Sequence, residues 1–152
     1  MELLTLDLRF ALCANAISHE AAQASDRPVP SNETRGSFDP VPVVKFFLSL
    51  GAATWLATEM DRDGDTLFGL ADLGFGCPEL GYFSLREIAS IRLPFGLTIE
   101  RDLHFETPHS LTVWADAARA AGSIMGAAHN LSDRSRNPLP TDPEPDGSGE
   151  VG

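Results

Sequence analysis

Two apolar runs on either side of an acidic turn constrain the fold of this 152-residue chain most strongly. The runs occupy residues 53–60 and 66–73, and Asp63-Gly64 lies between them. Glycine, and more tolerably aspartate, accepts the positive φ of a type I′ turn, so the pattern predicts a β-hairpin. A two-residue loop predicts three cross-strand pairs: Leu56 with Ala71, Trp55 with Asp72, and Met60 with Leu67. A wider loop over residues 61–65 is an equal alternative and would shift this register.

Further strands and capped helices are predicted around the hairpin. β-Branched, aromatic or alternating residues indicate strands at 43–48, 80–83 and 97–106. Helices are predicted at 3–24, at 85–93 after a capping box formed by Ser84 and Glu87, and from Ser110 to about residue 130. The order of these elements predicts an α+β fold, with a small antiparallel sheet of about four to five strands and helices packed mainly on one face.

Composition divides the chain into four parts. Residues 1–24 form an N-terminal helix, expected to pack on the domain rather than to recruit a partner. Residues 25–40 are a flexible linker rich in proline and serine. Residues 41–130 form a single α+β domain, and residues 131–152 are predicted to be a disordered acidic tail.

Charge and cysteine content limit the classes of function. The net charge of −11 opposes direct binding to nucleic-acid phosphates, although an acidic protein that imitates DNA stays open. The two cysteines, Cys13 and Cys77, form no CxxC pair, which favours a reducing cytoplasm. No apolar run approaches the ~20 residues needed to span a bilayer, so no membrane association is expected. No cofactor is predicted.

Several short runs carry a resemblance to a known family. They read ATWLATE at 53–59, LFGLADLGFG at 67–76, PELG at 78–81 and ERDLHF at 100–105. They resemble the bacterial domain of unknown function family 2958 over roughly residues 42–121, most specifically over 68–81. Residues 3–15 resemble an extension of some members. The resemblance implies a small cytoplasmic bacterial protein of plasmids, phages or other mobile elements. It implies no activity, so no catalytic residue carries over.

The glycine-interrupted segment 74–82 is the predicted binding region. Gly74 and Gly76 permit unusual backbone conformations, and such loops often carry binding function. The candidate binding residues are Phe75, Cys77, Pro78, Glu79 and Tyr82. Cys77 itself is expected to be a buried small residue rather than a nucleophile. These features favour a non-enzymatic accessory or protein-interaction domain with a protein partner of unknown identity.

Two acidic constellations support alternative hypotheses. Glu79, Asp102 and His104 would form the carboxylate–histidine cluster of a metal-dependent hydrolase. Asp61, Asp63, Asp65 and Asp72 occupy positions 1, 3, 5 and 12 of a loop similar to a calcium-binding EF-hand. That loop departs from the pattern because Gly64 stands at position 4 and Thr66 at position 6.

One basic residue stands on the apolar side of a predicted strand. Arg101 alternates with Ile99, Leu103 and Phe105, so its charge is expected to be paired. Asp72 or Glu59 is the expected partner. A structural salt bridge is favoured over an anion-binding site.

Overall fold

A computed structural model describes residues 2–24 and 38–136 of the chain, with side chains to residue 133. The helices and strands, in chain order, are α1 (Leu6–Ala24), β1 (Val44–Leu48), β2 (Thr54–Met60), β3 (Thr66–Asp72), β4 (Glu79–Ser84), α2 (Leu85–Ser90), β5 (Ile99–Arg101), α3 (Leu111–Ala121) and α4 (Ile124–Arg136). The five strands form one antiparallel sheet in the order β4-β3-β2-β1-β5. The predicted α+β class and the strand number are confirmed.

The acidic turn between β2 and β3 is the wider of the two predicted loops. The Asp61 amide donates to the Thr66 carbonyl at 2.8 Å, which closes a loop over residues 61–65. The Gly64 amide donates to the Asp61 carbonyl at 3.1 Å. Gly64 adopts a positive φ of 69°, which explains glycine at this position.

A β-bulge in β2 changes the register of the hairpin. Met60 lies opposite Leu67 as predicted, but the pairing shifts between Ala57 and Glu59. The predicted pairs of Leu56 with Ala71 and of Trp55 with Asp72 are therefore wrong. The observed pairs are Leu56 with Leu70, Trp55 with Ala71 and Thr54 with Asp72. The reason is that Thr58 is an extra residue on one strand, and a bulge shifts every pair beyond it by one position.

Both faces of the sheet are covered by helices. Neighbouring residues of β2 point to opposite faces, so they join two different cores. One core contains Trp55 and Ala57 of β2, with side chains from α1 and α2. The other contains Leu56 of β2, with side chains from α3 and α4. The expectation of helices mainly on one face therefore does not hold. All residues of β2 are buried, so the strand lacks the alternation of apolar and polar residues that marks a strand with one exposed face.

The capped helices begin where the sequence predicts. The Ser84 hydroxyl accepts from the Glu87 amide at 3.2 Å, and the Ser110 hydroxyl accepts from the Val113 amide. The predicted last helix is interrupted, however, because Gly122 ends α3 in the left-handed conformation with φ 80°. Ser123 then starts α4, its hydroxyl accepting from the Gly126 amide at 2.9 Å.

Two predicted boundaries change. β5 ends at Arg101, because the Asp102 carboxylate accepts from the His104 amide at 3.0 Å and turns the chain. Leu103, expected on the apolar side of that strand, is 65% exposed. α4 extends to Arg136, beyond the expected start of a tail at residue 131. The rest of that tail and most of the linker, residues 137–152 and 25–37, lie outside the described residues.

None of the helices in the described part of the chain combines the length and the apolar composition needed to cross a membrane. α1 is part of the domain rather than an appendage. Its Leu12 is fully buried in the first core, together with Leu3 and Leu4 ahead of the helix.

Gly69 of β3 and Gly81 of β4 lie opposite each other, and substitution of each by alanine tests the packing of the sheet. A Cβ atom at Gly69 would lie 1.8 Å from the Leu56 carbonyl oxygen, whereas one at Gly81 would meet nothing within 4 Å. We expect Gly69→Ala to lower the free energy of unfolding by about 3 kcal/mol or more. Gly81→Ala should stay within about 1 kcal/mol of the native protein. Urea unfolding followed by circular dichroism measures both, and equal effects would contradict the close approach at Gly69.

Candidate functional site

The loop between β3 and β4 carries two exposed apolar side chains at the start of the predicted binding region. Leu73 is 57% exposed and Phe75 is 82% exposed. Gly74 and Gly76 flank Phe75 with φ values of 90° and 84°, in the region that side chains rarely adopt. The glycines let the backbone turn sharply, and Phe75 stands at the tip. We call residues 73–77 the tip loop.

A buried carboxyl group holds the base of the tip loop. Asp72 is completely buried at the end of β3. One of its oxygens accepts from the Gly74 amide at 2.9 Å, and the other accepts from the Ile124 amide at 2.9 Å. Ile124 is the first residue of α4. Asp72 therefore fixes the tip loop to the sheet and to the α3–α4 junction at the same time.

The five predicted binding residues divide between different environments. Phe75, Cys77 and Glu79 are exposed, but Pro78 is buried beneath the loop. The exposure of Cys77 corrects the expectation that it is a buried small residue. Gly76, Cys77, Pro78, Glu79 and Leu80 line a shallow depression with Arg119 of α3. The tip loop thus has polar and charged neighbours at its edge.

Tyr82 lies apart from the tip loop, in a cleft between α1 and the β2–β3 hairpin. Its ring is 76% exposed and packs against Phe68, with ring centroids 5.1 Å apart. The same cleft contains His19 and Glu59, whose Nδ1 and Oε1 atoms are 2.8 Å apart. The ring of His19 also stacks on Phe38 at 5.3 Å. No local pattern predicts the His19–Glu59 pair, because tertiary packing joins residues 40 positions apart.

The predicted carboxylate–histidine cluster does not assemble. Glu79 begins β4 at one edge of the sheet, whereas Asp102 and His104 follow β5 at the opposite edge. Four strand spacings of about 4.8 Å separate these edges. Asp102 instead lies 3.7 Å from the Lys45 ammonium group and turns its own backbone. The hydrolase hypothesis loses its three-residue site for this reason.

Two of the hairpin aspartates use their oxygens to hold the local backbone. Asp63 accepts from the Thr66 hydroxyl at 2.6 Å and from the amides of Thr66 and Asp65. These hydrogen bonds, the Thr66 hydroxyl first, lower the pKa of Asp63 from 3.8 to about 2. Asp65 accepts from the Arg86 amide and the Ser84 hydroxyl, both at 2.8 Å, and these contacts lower its pKa in that order. Asp65 thereby fastens the start of α2 to the hairpin.

The four aspartates of the predicted calcium loop do not gather around one point. Asp72 lies at the far end of β3 from the turn, about 20 Å away at the usual rise of a strand. Within residues 2–24 and 38–136, no group of three or more histidine, cysteine, aspartate or glutamate side chains is placed to hold a metal ion.

Arg101 is held by backbone oxygens rather than by the acids expected from the sequence. Its Nη1 atom donates to the Leu3 carbonyl at 2.7 Å and to the Glu2 carbonyl at 3.3 Å. Asp72 and Glu59 have the other contacts given above. The guanidinium group therefore fastens the segment ahead of α1 to the edge strand β5.

Comparison with known proteins gives one family. Residues 3–125 match the family described as "Protein of unknown function (DUF2958)". The match begins ahead of α1, so it includes the N-terminal helix as well as the sheet. No curated protein and no solved structure matches the chain.

Removal of the Asp72 carboxyl group should destabilise the fold. Asp72→Ala leaves two amides without acceptors, and we expect a loss of about 2–4 kcal/mol in the free energy of unfolding. Asp72→Asn keeps one acceptor oxygen and should be intermediate. Asp116→Ala is the control, because Asp116 is 79% exposed in a surface ion pair. Urea unfolding measures the free energy of each variant. Equal losses in Asp72→Ala and Asp116→Ala would contradict the role of Asp72.

The lowered pKa of Asp63 predicts a dependence of stability on pH. Its stabilising effect is complete above the ordinary pKa of 3.8 and disappears as the pH falls through about 2. We expect Asp63→Ala to lower the melting temperature near pH ~6 but to match the native protein below pH ~2, where the carboxyl group is protonated in the folded and the unfolded state. In Thr66→Val, the NMR titration midpoint of the Asp63 carboxyl group should move up toward 3.8. An unchanged midpoint would show that the hydroxyl does not lower this pKa.

Proposed function

We propose that this chain, which belongs to the DUF2958 family, is a protein-interaction domain that binds its partner through the tip loop. The family description assigns no activity, so the proposal depends on the surface of the domain. The observation that carries it is the exposure of Phe75, at 82%, on a loop whose base is fixed. A bacterial, cytoplasmic setting on a plasmid, phage or other mobile element belongs to the same proposal and depends on the resemblance of the sequence runs.

Burial of Phe75 would supply much of the binding free energy. Transfer of a fully exposed aromatic side chain out of water is worth about 2–3 kcal/mol. Aromatic side chains at the centre of an interface are frequent hot spots. Leu73, 57% exposed on the same loop, adds apolar area beside Phe75. The expected partner therefore presents an apolar pocket.

The fixed base of the loop favours binding for a second reason. A flexible loop loses conformational entropy when it binds, and this loss subtracts from the affinity. The Asp72 hydrogen bonds to Gly74 and Ile124 hold the loop in one arrangement before any partner arrives. Glu79 and Arg119 supply charged groups at the edge of the depression beside the loop. An apolar centre with a charged rim is the usual composition of an interface.

A second hypothesis is that the acidic chain imitates DNA and binds a nucleic-acid-binding protein. Several carboxylates already accept hydrogen bonds from the chain's own backbone, as Asp63, Asp65 and Asp72 do. A mimic needs acidic groups spaced along one surface in the manner of phosphates. Binding of the purified chain to a nucleic-acid-binding protein, lost at high salt, would favour that reading over an apolar contact.

Substitution of Phe75 should weaken partner binding selectively. A photoreactive phenylalanine at position 75, introduced into the full chain in host cells, should cross-link one protein. The same group at position 95 is the matched control, since Phe95 is 98% exposed ahead of β5, the opposite edge strand from β4. With that protein purified, Phe75→Ser should reduce the affinity about tenfold or more, and Phe95→Ser should leave it unchanged. Equal cross-linking at both positions, or an unchanged affinity in Phe75→Ser, would overturn the proposal.

A further inference from the structure

Helix α1 has an apolar surface that the described residues of the domain leave exposed. Its inner side is fastened to the sheet by the fully buried Leu12 and by Asn15, whose side-chain amide donates to the Thr58 carbonyl at 2.8 Å. On another side, Leu6, Phe10 and Ile17 are 69%, 66% and 63% exposed. These three residues project within about 40° of one another around the helix axis. We call this surface the outer stripe, with Ala14 and Ala21 on the same side.

Two segments of the chain, residues 25–37 and 137–152, are poor in apolar side chains that could pack on the outer stripe. Residues 25–37 contain one large aliphatic side chain, Val29, and residues 137–152 contain two, Leu139 and Val151. The other residues of these segments are mainly proline, glycine, serine and charged residues. A continuous apolar surface needs apolar side chains opposite it. Residues 25–37 and 137–152 supply few such side chains, whereas a second copy of α1 carries them.

The outer stripe is complementary to itself when two copies of α1 lie antiparallel. A two-fold axis beside Cys13 and Ala14 places Phe10 of one copy opposite Ile17 of the other, and Leu6 opposite Ala21. The small side chain of Ala14 at the centre permits close approach of the helices. The two helix dipoles also oppose each other in this arrangement, which is favourable. A surface that repeats in this way is what a two-fold dimer requires.

The charges on α1 fit the same arrangement. α1 has three charged residues, Asp7, Arg9 and Glu20, so the acidity of the whole chain is not concentrated on this helix. Arg9 and Glu20 project within about 20° of each other, on one flank of the outer stripe. Within its own copy, the Glu20 carboxylate lies 3.2 Å from Arg62 Nη2 in an exposed ion pair. In the antiparallel pair, the same flanks of the two copies adjoin, and Arg9 of each copy comes within about 3 Å, along the axis, of the level of Glu20 of the other, so that Glu20 has a guanidinium group from each copy beside it. The pair forms twice by symmetry.

We propose that a second copy of this chain binds the outer stripe and forms an antiparallel α1–α1 dimer. The three large side chains and their alanine neighbours expose on the order of 400 Å² per copy, or about 800 Å² in the pair. This area is smaller than the ~1,200 Å² of a stable specific interface. The dimer is therefore weak and reversible, with a dissociation constant on the order of 10–100 µM. It leaves the tip loop free, because that loop lies at the β3–β4 connection rather than on α1.

Sedimentation equilibrium of the full chain over about 5–500 µM tests the dimer. The average mass of the native chain should rise from that of a monomer toward twice that value. Phe10→Ser should weaken the association about tenfold or more, and Phe95→Ser, which removes the same side chain elsewhere, should not. Circular dichroism checks that Phe10→Ser stays folded, as expected for an exposed side chain. A monomeric native chain at every concentration, or unchanged association in Phe10→Ser, would overturn the proposal.

A charge exchange tests the antiparallel orientation. Arg9→Glu places like charges on the adjoining flanks and should weaken the dimer about tenfold. Adding Glu20→Arg to Arg9→Glu restores opposite charges and should return the affinity to within a few-fold of the starting value. Both variants are made in an Arg62→Ala background, because Arg62 pairs with Glu20 in the native chain and would repel an arginine at position 20. Failure of the double variant to recover, with both variants folded, would contradict this orientation. A native chain that stays monomeric but binds lipid vesicles through Phe10 would assign the outer stripe to a membrane surface instead.

Discussion

The carboxyl group of Asp72 is the contact on which the arrangement of sheet, loop and helices depends. A buried polar group must find hydrogen-bond partners inside the protein, because an unsatisfied one costs ~1–3 kcal/mol, and more when the group is charged. Asp72 satisfies both of its oxygens with backbone amides from two separate segments, the tip loop and the start of α4. The break between α3 and α4 at Gly122 presents the Ile124 amide to this acid. One side chain thus sets the position of the exposed Phe75 relative to the core formed by Leu56 with α3 and α4.

The bulge at Thr58 has a comparable effect on the other half of the domain. A bulge leaves a residue outside the regular ladder, and its backbone groups need other partners. The Thr58 carbonyl accepts from Asn15 of α1, and the next residue, Glu59, lies against His19 of the same helix. Polar contacts along the inner side of α1 therefore set which side of the helix faces outward. The exposure of Leu6, Phe10 and Ile17 follows from this orientation.

The acidic residues of the chain act mainly as acceptors for backbone amides where the structure shows their contacts. Asp63 and Asp65 hold the hairpin and the start of α2, Asp102 turns the chain after β5, and Asp39 accepts from the Thr112 amide at the start of α3. A carboxylate with two oxygens suits this role, since amides at turns and helix starts have no partner within their own element. Asp63 and Asp65 have the spacing of a calcium loop, but their oxygens accept from the chain's own amides and hydroxyl groups.

Local sequence determined most of the secondary structure and the exposed tip loop. The signals act over a few residues: Gly64 permits the turn, Ser84 and Ser110 cap helices, and Gly74 and Gly76 shape the loop around Phe75. Tertiary structure decided what depends on distant partners. The partner of Leu56 differs from the prediction because of a bulge that no turn signal reveals. β2 is buried throughout because helices cover both faces of the sheet, and its sequence has no alternation that shows which helix lies on which face. Glu79 and Asp102 separated because strand order, not strand identity, sets their distance. The Asp72 contact with Ile124 joins residues 52 positions apart, and only the packed chain brings such groups together.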